Sequence, residues 1–376
     1  MRIVPVLVGV AVLLGGAEAG SAMIGGSHFA SRMRALNGTD LGSPQLRLEN
    51  VQVHRGLFSS SATADIEVLG IKPISVPLEL QASQGLRPNG SALRVGVTLG
   101  AISDPQVQAL LAKLHDPEPM RAQLDYGLTG KLKVVTISMA PVHAVLDAQG
   151  TRIDWPGAQG VIHPNGYFDK GGTADGSMHW SAVQVALPKP VGGQLHVGEL
   201  VETFDQTGRM TNSTGHLAMR LGPTYATGNA QAFRFDGFQV SMQYALHRKE
   251  SGYSDNPSGL PVGQIQIKDL QLKAGISQPV AGQVQATANL RMPDVGSVIL
   301  PGMTPQQIEA ANLQLLTQIQ GSAQLRVSMS LYRKFENPAL QRLAAAGLIE
   351  QQGQDAVSNI AMSAGHITIN GHALGS

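Results

Sequence analysis

The sequence predicts a mainly β protein with a few helices (α+β), organised as one or more long, curved antiparallel sheets. Three observations carry this expectation. Apolar and polar residues alternate in run after run, which is the period of a strand with one buried face. The 44 glycines and 21 prolines among 376 residues supply many turns. Helical spacing of apolar residues, by contrast, is confined to a few short windows.

The organising stretch runs from Pro44 to Val68. Leu46, Leu48, Val51 and Val53 form one alternating run; Ala62, Ala64, Ile66 and Val68 form the next. The break between them, His54-Arg55-Gly56-Leu57-Phe58-Ser59, contains a glycine and makes the pair a hairpin. Before it, residues 23–36 carry Phe29, Met33 and Leu36 at helical spacing, weakened by Gly25 and Gly26. After it, Ile74, Val76, Leu78 and Leu80 alternate, and Pro77 within the run argues for an edge strand. Leu93, Val95, Val97 and Leu99 follow. Asp104-Pro105 caps a helix over 104–115, with Val107, Leu110, Leu111 and Leu114 on one stripe.

Strand patterns return at Leu124, Tyr126 and Leu128 and from Val134 to Met139. From Pro156 to Gly176 the chain is rich in Gly, Pro, Asn and Asp and reads as an irregular excursion. Further strand runs are Leu217 to Leu221, Phe238 to Leu246, Ile265 to Ile267 and Val284 to Met292. Thr304-Pro305 opens a helix over 304–320 through Ile308, Ala311, Leu315 and Ile319. A strand through Ala323, Leu325, Val327, Met329 and Leu331 leads to a helix at 338–346, started by Asn337-Pro338. Strands at 357–362 and 366–369 and an Asn370-Gly371 turn close the chain.

One pattern recurs inside these strands. Leu46-Arg-Leu-Glu-Asn50-Val-Gln-Val53 matches Ile265-Gln-Ile-Lys-Asp269-Leu-Gln-Leu272 in residue class, and Phe233-Arg-Phe-Asp236-Gly-Phe-Gln-Val240 is a looser copy. Each alternation slips by one residue at Asn50, Asp269 or Asp236. A slip turns the later side chains to the other face unless a β-bulge absorbs the extra residue, and a bulge also bends the strand.

Composition bounds the function. Hydrophobic residues at 43% suffice for a large core, whereas charged residues reach only 14%. The formal net charge of +1 comes without any block of like charge, so no footprint for nucleic acid is present. Cysteine is absent, which excludes disulfides, thiolate metal sites and a cysteine nucleophile. Arg2, the apolar run Ile3 to Gly16, and Ala17-Glu18-Ala19 describe a secretory signal over residues 1–22. It is either cleaved after Ala19 or kept as a signal-anchor helix, and both routes place the rest outside the cytoplasm. The remainder divides into a β-rich half at 23–190 and a second β-rich half with helices at 191–376.

No constellation of residues carries an assigned chemistry. His163, Asp169, Asp175 and His179 form the densest His/Asp group, and their spacing matches no compact metal motif. Asp154 beside Trp155, and Asp205, are the nominal carboxylates for a hydrolytic pair assembled in space. His54 reads as structural, and His366 and His372 as solvent-facing. Ser59, Ser60 and Ser61 begin a strand and match neither G-x-S-x-G nor S-x-x-K. Phosphate-binding and dinucleotide-binding glycine motifs are missing. No catalytic, cofactor-binding or metal-ligating residue is therefore assigned.

The segment Val51-Gln-Val-His54-Arg55-Gly56-Leu57-Phe58-Ser59-Ser60 resembles the YdgA-like family of bacterial envelope proteins, a domain of unknown function. Leu221-Gly222 ahead of Phe233, Phe235 and Gly237 agrees in layout, as do Ala346-Gly347-Leu348-Ile349 and Gly365 to Gly371. The resemblance implies a cell-envelope protein on the periplasmic side of the inner membrane, held by its N-terminal helix, with no established activity. The expectation is thus a non-enzymatic scaffold or self-associating extracytoplasmic domain, a homo-oligomer touching the membrane through its N-terminus. The alternative is a carrier of lipid or another apolar ligand in a groove of the curved sheet. No cofactor is expected.

Overall fold

The computed structural model describes residues 33–35, 37–38, 46–56, 59–68, 74–85, 91–99, 120–127, 131–145, 149–165, 171–188, 192–209, 212–228, 233–248, 263–293, 318–363 and 365–374, with 304, 306 and 309. The candidate signal or anchor at 1–22 and the helix expected at 104–115 lie outside them.

Every strand pairing among the described residues is antiparallel, and most strands pair with their neighbour in sequence. The first half of the sheet is a meander of β1 (Leu46–Arg55), β2 (Ser59–Val68), β3 (Ile74–Gln84), β4 (Ser91–Leu99), β5 (Met120–Gly127) and β6 (Leu132–Met139). Beyond β6 the chain makes longer passes, each interrupted by two residues. The pieces are β7 (Val142–Val145), β8 (Arg152–Trp155), β9 (Ala158–Asn165), β10 (Gly172–Trp180), β11 (Val183–Leu187), β12 (Gly193–Val197), β13 (Leu200–Arg209), β14 (Asn212–Leu221) and β15 (Thr224–Gly228). The last pass, β16 (Phe233–Arg248), is unbroken.

These pieces sort into two ladders lying end to end. One runs β6, β9, β10, β13, β14 and the later part of β16. The other runs β7, β8, β11, β12, β15 and the first residues of β16. The breaks Ala140-Pro141, Pro156-Gly157, Ser181-Ala182, Gly198-Glu199 and Gly222-Pro223, with Asp236-Gly237 in β16, therefore line up as one crease across the sheet. Across most of the breaks the apolar positions resume three residues on instead of two, as in Met139 to Val142, Trp180 to Val183 and Phe235 to Phe238. That is the one-residue slip that keeps a face in phase through a bulge.

The crease has its own bonds and close approaches. Ser181 N donates to Gly157 O at 3.0 Å, Gly222 N to Glu199 O at 2.7 Å, and Trp155 Nε1 to Ser181 O at 3.1 Å. The rings of Trp155 and Trp180 stack across it with centroids 6.4 Å apart. Three of its glycines, Gly157, Gly198 and Gly237, have no substitute. A Cβ on Gly198 would lie 2.3 Å from the Gly222 carbonyl carbon; one on Gly237, where φ is +104°, would lie 2.1 Å from Leu221 O.

After β16 the meander continues through β17 (Gly263–Gln278), β18 (Gly282–Pro293), β19 (Gln320–Ser328), β21 (Asp355–Ser363), β22 (His366–Ile369) and β23 (His372–Ala373), with β20 (Glu350–Gln352) beside β21. The sheet does not close: among the described residues β1 pairs only with β2, and β23 only with β22. Two helices, α1 (Met329–Phe335) and α2 (Pro338–Ala345), join β19 to β20.

The expected slips are present. Asn50 and Asp269 take φ of 55° and 50°, and the ladder shifts between Glu49 and Gln52 and between Ile267 and Leu270. At 338–346 the expected helix is α2, whose Asn337 Oδ1 accepts from Ala339 N at 2.9 Å and Leu340 N at 3.0 Å. Within 304–320, the described Gln306, Glu309 and Gln318 are helical, and the rest lies outside the described residues.

Three expectations are corrected. The excursion at 156–176 holds β9 and the start of β10, because Gly160 and Gly176 serve packing and not turning. A Cβ on Gly160 would strike Met178 Sδ, and one on Gly176 would strike the Phe204 ring. The strand through Leu331 stops at Ser328: Leu331, 2% exposed, turns back in α1 onto Gly282, where a Cβ would meet its Cγ at 2.5 Å. Pro77 lies in an internal strand, and its missing donor is tolerated because the β3–β4 ladder begins one residue later at Leu78.

The left-handed positions yield a stability test. Asp269→Val should cost about 1–2 kcal/mol, because a β-branched residue resists that backbone, whereas Asp269→Gly should stay within about 0.5 kcal/mol. Gly237→Ala should lose more than about 2 kcal/mol. Urea midpoints for the three variants check the order.

Candidate functional site

The sheet has one apolar and one polar face. From β1 to β6 the apolar face is packed: Leu48, Ile66, Leu80, Val95 and Leu124 are 0% exposed, in one cluster with Met33. On the same face further along, Phe204, Leu217, Met219, Val240, Met242 and Leu272 are only half-buried, and Leu325 is 39% exposed. Among these side chains sits Glu202, opposite Met178 on one neighbour and Met219 on the other. Burial raises its carboxyl above the ordinary range. Gln206 shares the face and accepts from Tyr244 Oη at 2.7 Å.

The polar face carries ion pairs built by register. His163 on β9, Asp175 on β10, Asp205 on β13 and His216 on β14 form one cross-strand row. His163 Nδ1 lies 3.1 Å from Asp175 Oδ2, and His216 Nδ1 lies 3.0 Å from Asp205 Oδ1. His143 and Asp154 pair the same way at 2.9 Å on the far side of the crease. Glu199, at the crease itself, meets His179 Nε2 at 3.0 Å and Arg220 Nη2 at 3.0 Å. The hydrogen bond from His179 holds the Glu199 carboxyl below its ordinary range, and the charges of His179 and Arg220 add to this.

The structure therefore divides the group singled out from the sequence. His163 and Asp175 meet. His179 lies four residues from Asp175 on the same strand, roughly 13 Å along it, and binds Glu199 instead; Asp169 lies outside the described residues. Among the described residues, no three His, Asp or Glu side chains surround a common metal position. Asp154 and Asp205 sit on opposite sides of the crease, each turned to its own histidine. Asp175 does face Asp205 in register, yet both carboxylates bond outward on an open surface, unlike a hydrolase pair enclosing a bond. His366 and His372 are exposed.

The describable concavities open on the polar face. One, over β13, β14, β16 and β17, has lobes of about 270 and 310 Å³ that share Arg220, Gln239 and Lys273. A second, about 480 Å³, lies over β1 to β4 and is lined by His54, Arg55, Ser59, Ser61, Ser83 and Arg94 among others. Sequence reasoning missed Arg94, whose Nε and Nη2 reach Asp125 at 2.8 and 3.2 Å, and missed Glu199, Arg220 and Glu202. Each is a single charge within an alternating run, and only the strand order supplies its partner.

The fold and this surface define a class: a one-sheet antiparallel protein with a divided apolar face and a polar face of paired histidines and carboxylates. A family model described as a bacterial protein of unknown function, DUF945, matches residues 2–275, and the chain belongs to that family. No curated protein and no solved structure matches it.

Glu202 sets a pH dependence. Its raised value means that the folded chain favours the protonated form, so its contribution is present below about pH 4 and lost as pH rises through the folded value. Glu202→Gln should melt higher than the parent at neutral pH and converge with it in acid. Parallel melting curves across that window would count against this account.

Proposed function

We propose that this chain is an extracytoplasmic, non-enzymatic envelope protein that self-associates through the half-buried part of its apolar face. The observation that supports it is the change in burial along one continuous face, from 0% exposed at Leu80 and Leu124 to 39% at Leu325. Monomeric proteins seldom leave more than a few hundred Å² of contiguous apolar surface open. The part carried by β13, β14, β16, β17, β18 and β19 spans six strands. At about 4.8 Å between strands and about eight residues of 3.3 Å each, it amounts to roughly 750 Å². That is near the roughly 800 Å² each partner contributes to a standard interface. Two such sheets pack face to face at about 10 Å, as in a sandwich.

The describable concavities lie on the polar side, which favours a second copy over an acyl chain as occupant of the apolar face. The apolar segment Ile3 to Gly16 and the YdgA-like turn Arg55 to Ser60 support placement on the periplasmic side of the inner membrane. No helix among the described residues is long and apolar enough to cross a membrane.

Light scattering on the purified chain should report a dimer or higher species. Met242→Lys, in the centre of the face, should yield the monomer without loss of far-ultraviolet circular dichroism, and Ser241→Lys, on the opposite face, should leave the assembly intact. A parent chain monomeric at every concentration would sink the reading; a monomer carrying lipid through gentle extraction would assign the face to an apolar ligand. N-terminal sequencing of membrane and soluble fractions checks the anchor, with Met1 retained in the membrane fraction as the expected result.

A further inference from the structure

We infer that the end of the sheet beyond the crease dips into a lipid interface, a contact separate from the self-associating face and additional to the N-terminal apolar segment. The ladder of β7, β8, β11, β12, β15 and the first residues of β16 is short, with four or five residues in each complete strand. Its outer three rows are apolar on both faces. Ala144, Ile153, Val185, Leu195, Ala226 and Phe233 stand opposite one another in the first. The second row, turned to the other face, holds Val145 and Ala186 with Arg152, Gln194 and Thr227. The last holds Leu187, Gly193 and Gly228.

These rows contain no carboxylate, and Arg152 is their one cation. Val145 is 50% exposed, and Leu187 and Phe233 are each 40% exposed. The passes that cross the crease end differently on the other side, at Asn165, Gly172, Arg209, Asn212 and Arg248. Among the described residues, no large apolar side chain stands exposed there. The chain also joins the sheet at the apolar end. Leu46, the first residue of β1, pairs with Val68, past the row of Ala64, Leu78, Leu99, Met120 and Met139 from which β7 leaves.

A lipid interface suits this end better than a protein face does. Val145 and Leu187 belong to opposite faces, so a second sheet stacked on one face covers only one of them, whereas an interface surrounds both. Three rows at about 3.3 Å each make a depth of about 10 Å, and interfacial elements bury about 5–10 Å. Two features limit the depth. Among the described residues β7 pairs only with β8, so its outer edge has N–H and C=O groups that need water or headgroup oxygens. Strands of four or five residues also fall well short of the about nine that span a bilayer. Arg152, exposed in the middle row, suits anionic headgroups.

The chain has no cysteine, so a single introduced thiol reports one position. Leu187→Cys, at the outer end, and Asn165→Cys, at the far end, are labelled with an environment-sensitive fluorophore as full chains. Each is reconstituted in vesicles of phosphatidylethanolamine and phosphatidylglycerol that carry lipids with a spin label near the headgroup. The Leu187→Cys label should be quenched severalfold more than the Asn165→Cys label. Adding Val145→Glu should bring its quenching down to the far-end level, with circular dichroism and light scattering unchanged, because Val145 is half exposed and its replacement leaves the core intact. Equal quenching at both positions, in a chain that floats with the vesicles, overturns the inference and leaves the N-terminal anchor standing; a chain that does not float overturns both. A Leu187→Cys label that shifts to the blue with protein concentration in the absence of vesicles overturns it in favour of a second copy.

Discussion

The structure depends on keeping one face apolar through passes that cross a crease. A backbone ladder satisfies the N–H and C=O groups of every strand only if neighbours stay in register. A slip in one pass alone would turn its remaining side chains to the other face and leave them out of phase with both neighbours. The passes from β6 to β16 avoid this by slipping together. Pro141, Pro156 and Pro223 mark breaks where a ladder donor is dispensable, and Gly198 and Gly237 stand where carbonyls approach too closely for a side chain. Asn50 and Asp269 perform the same correction away from the crease, Asn50 in the β1–β2 ladder and Asp269 in the ladders on both sides of β17.

The two faces then diverge in use. The apolar face is packed over β1 to β6 and half open beyond, and the one carboxyl among its half-buried methionines, Glu202, is pushed toward its neutral form. The polar face remains in water, where its His–Asp and His–Glu pairs are each worth little to stability. Asp125 is different. Buried at 5% exposure, it needs Arg94, and that need fixes a guanidinium at the edge of the concavity over β1 to β4.

The candidate surface was legible in the sequence only where partners are joined by one hairpin. His163 and Asp175 are twelve residues apart and face each other across the β9–β10 turn, so inspection of neighbouring charges finds them. Arg94 and Asp125 are 31 apart, and Tyr244 and Gln206 are 38 apart. Such pairs depend on strand order and register, which alternation alone does not encode. The glycines of 156–176 misled in the same way: Gly160 and Gly176 look like turn formers until Met178 and Phe204 are seen to lie over them.

Local periodicity by itself determined the antiparallel β class, the first hairpin, the bulges at Asn50 and Asp269, and the capped helix at Asn337, because each rests on residues adjacent in the chain. Tertiary structure alone decided the common crease, the sealed and open parts of the apolar face, and the pairing of Arg94 with the buried Asp125. Those features arise from which strand lies beside which, a choice made by hydrogen bonds between residues distant in sequence.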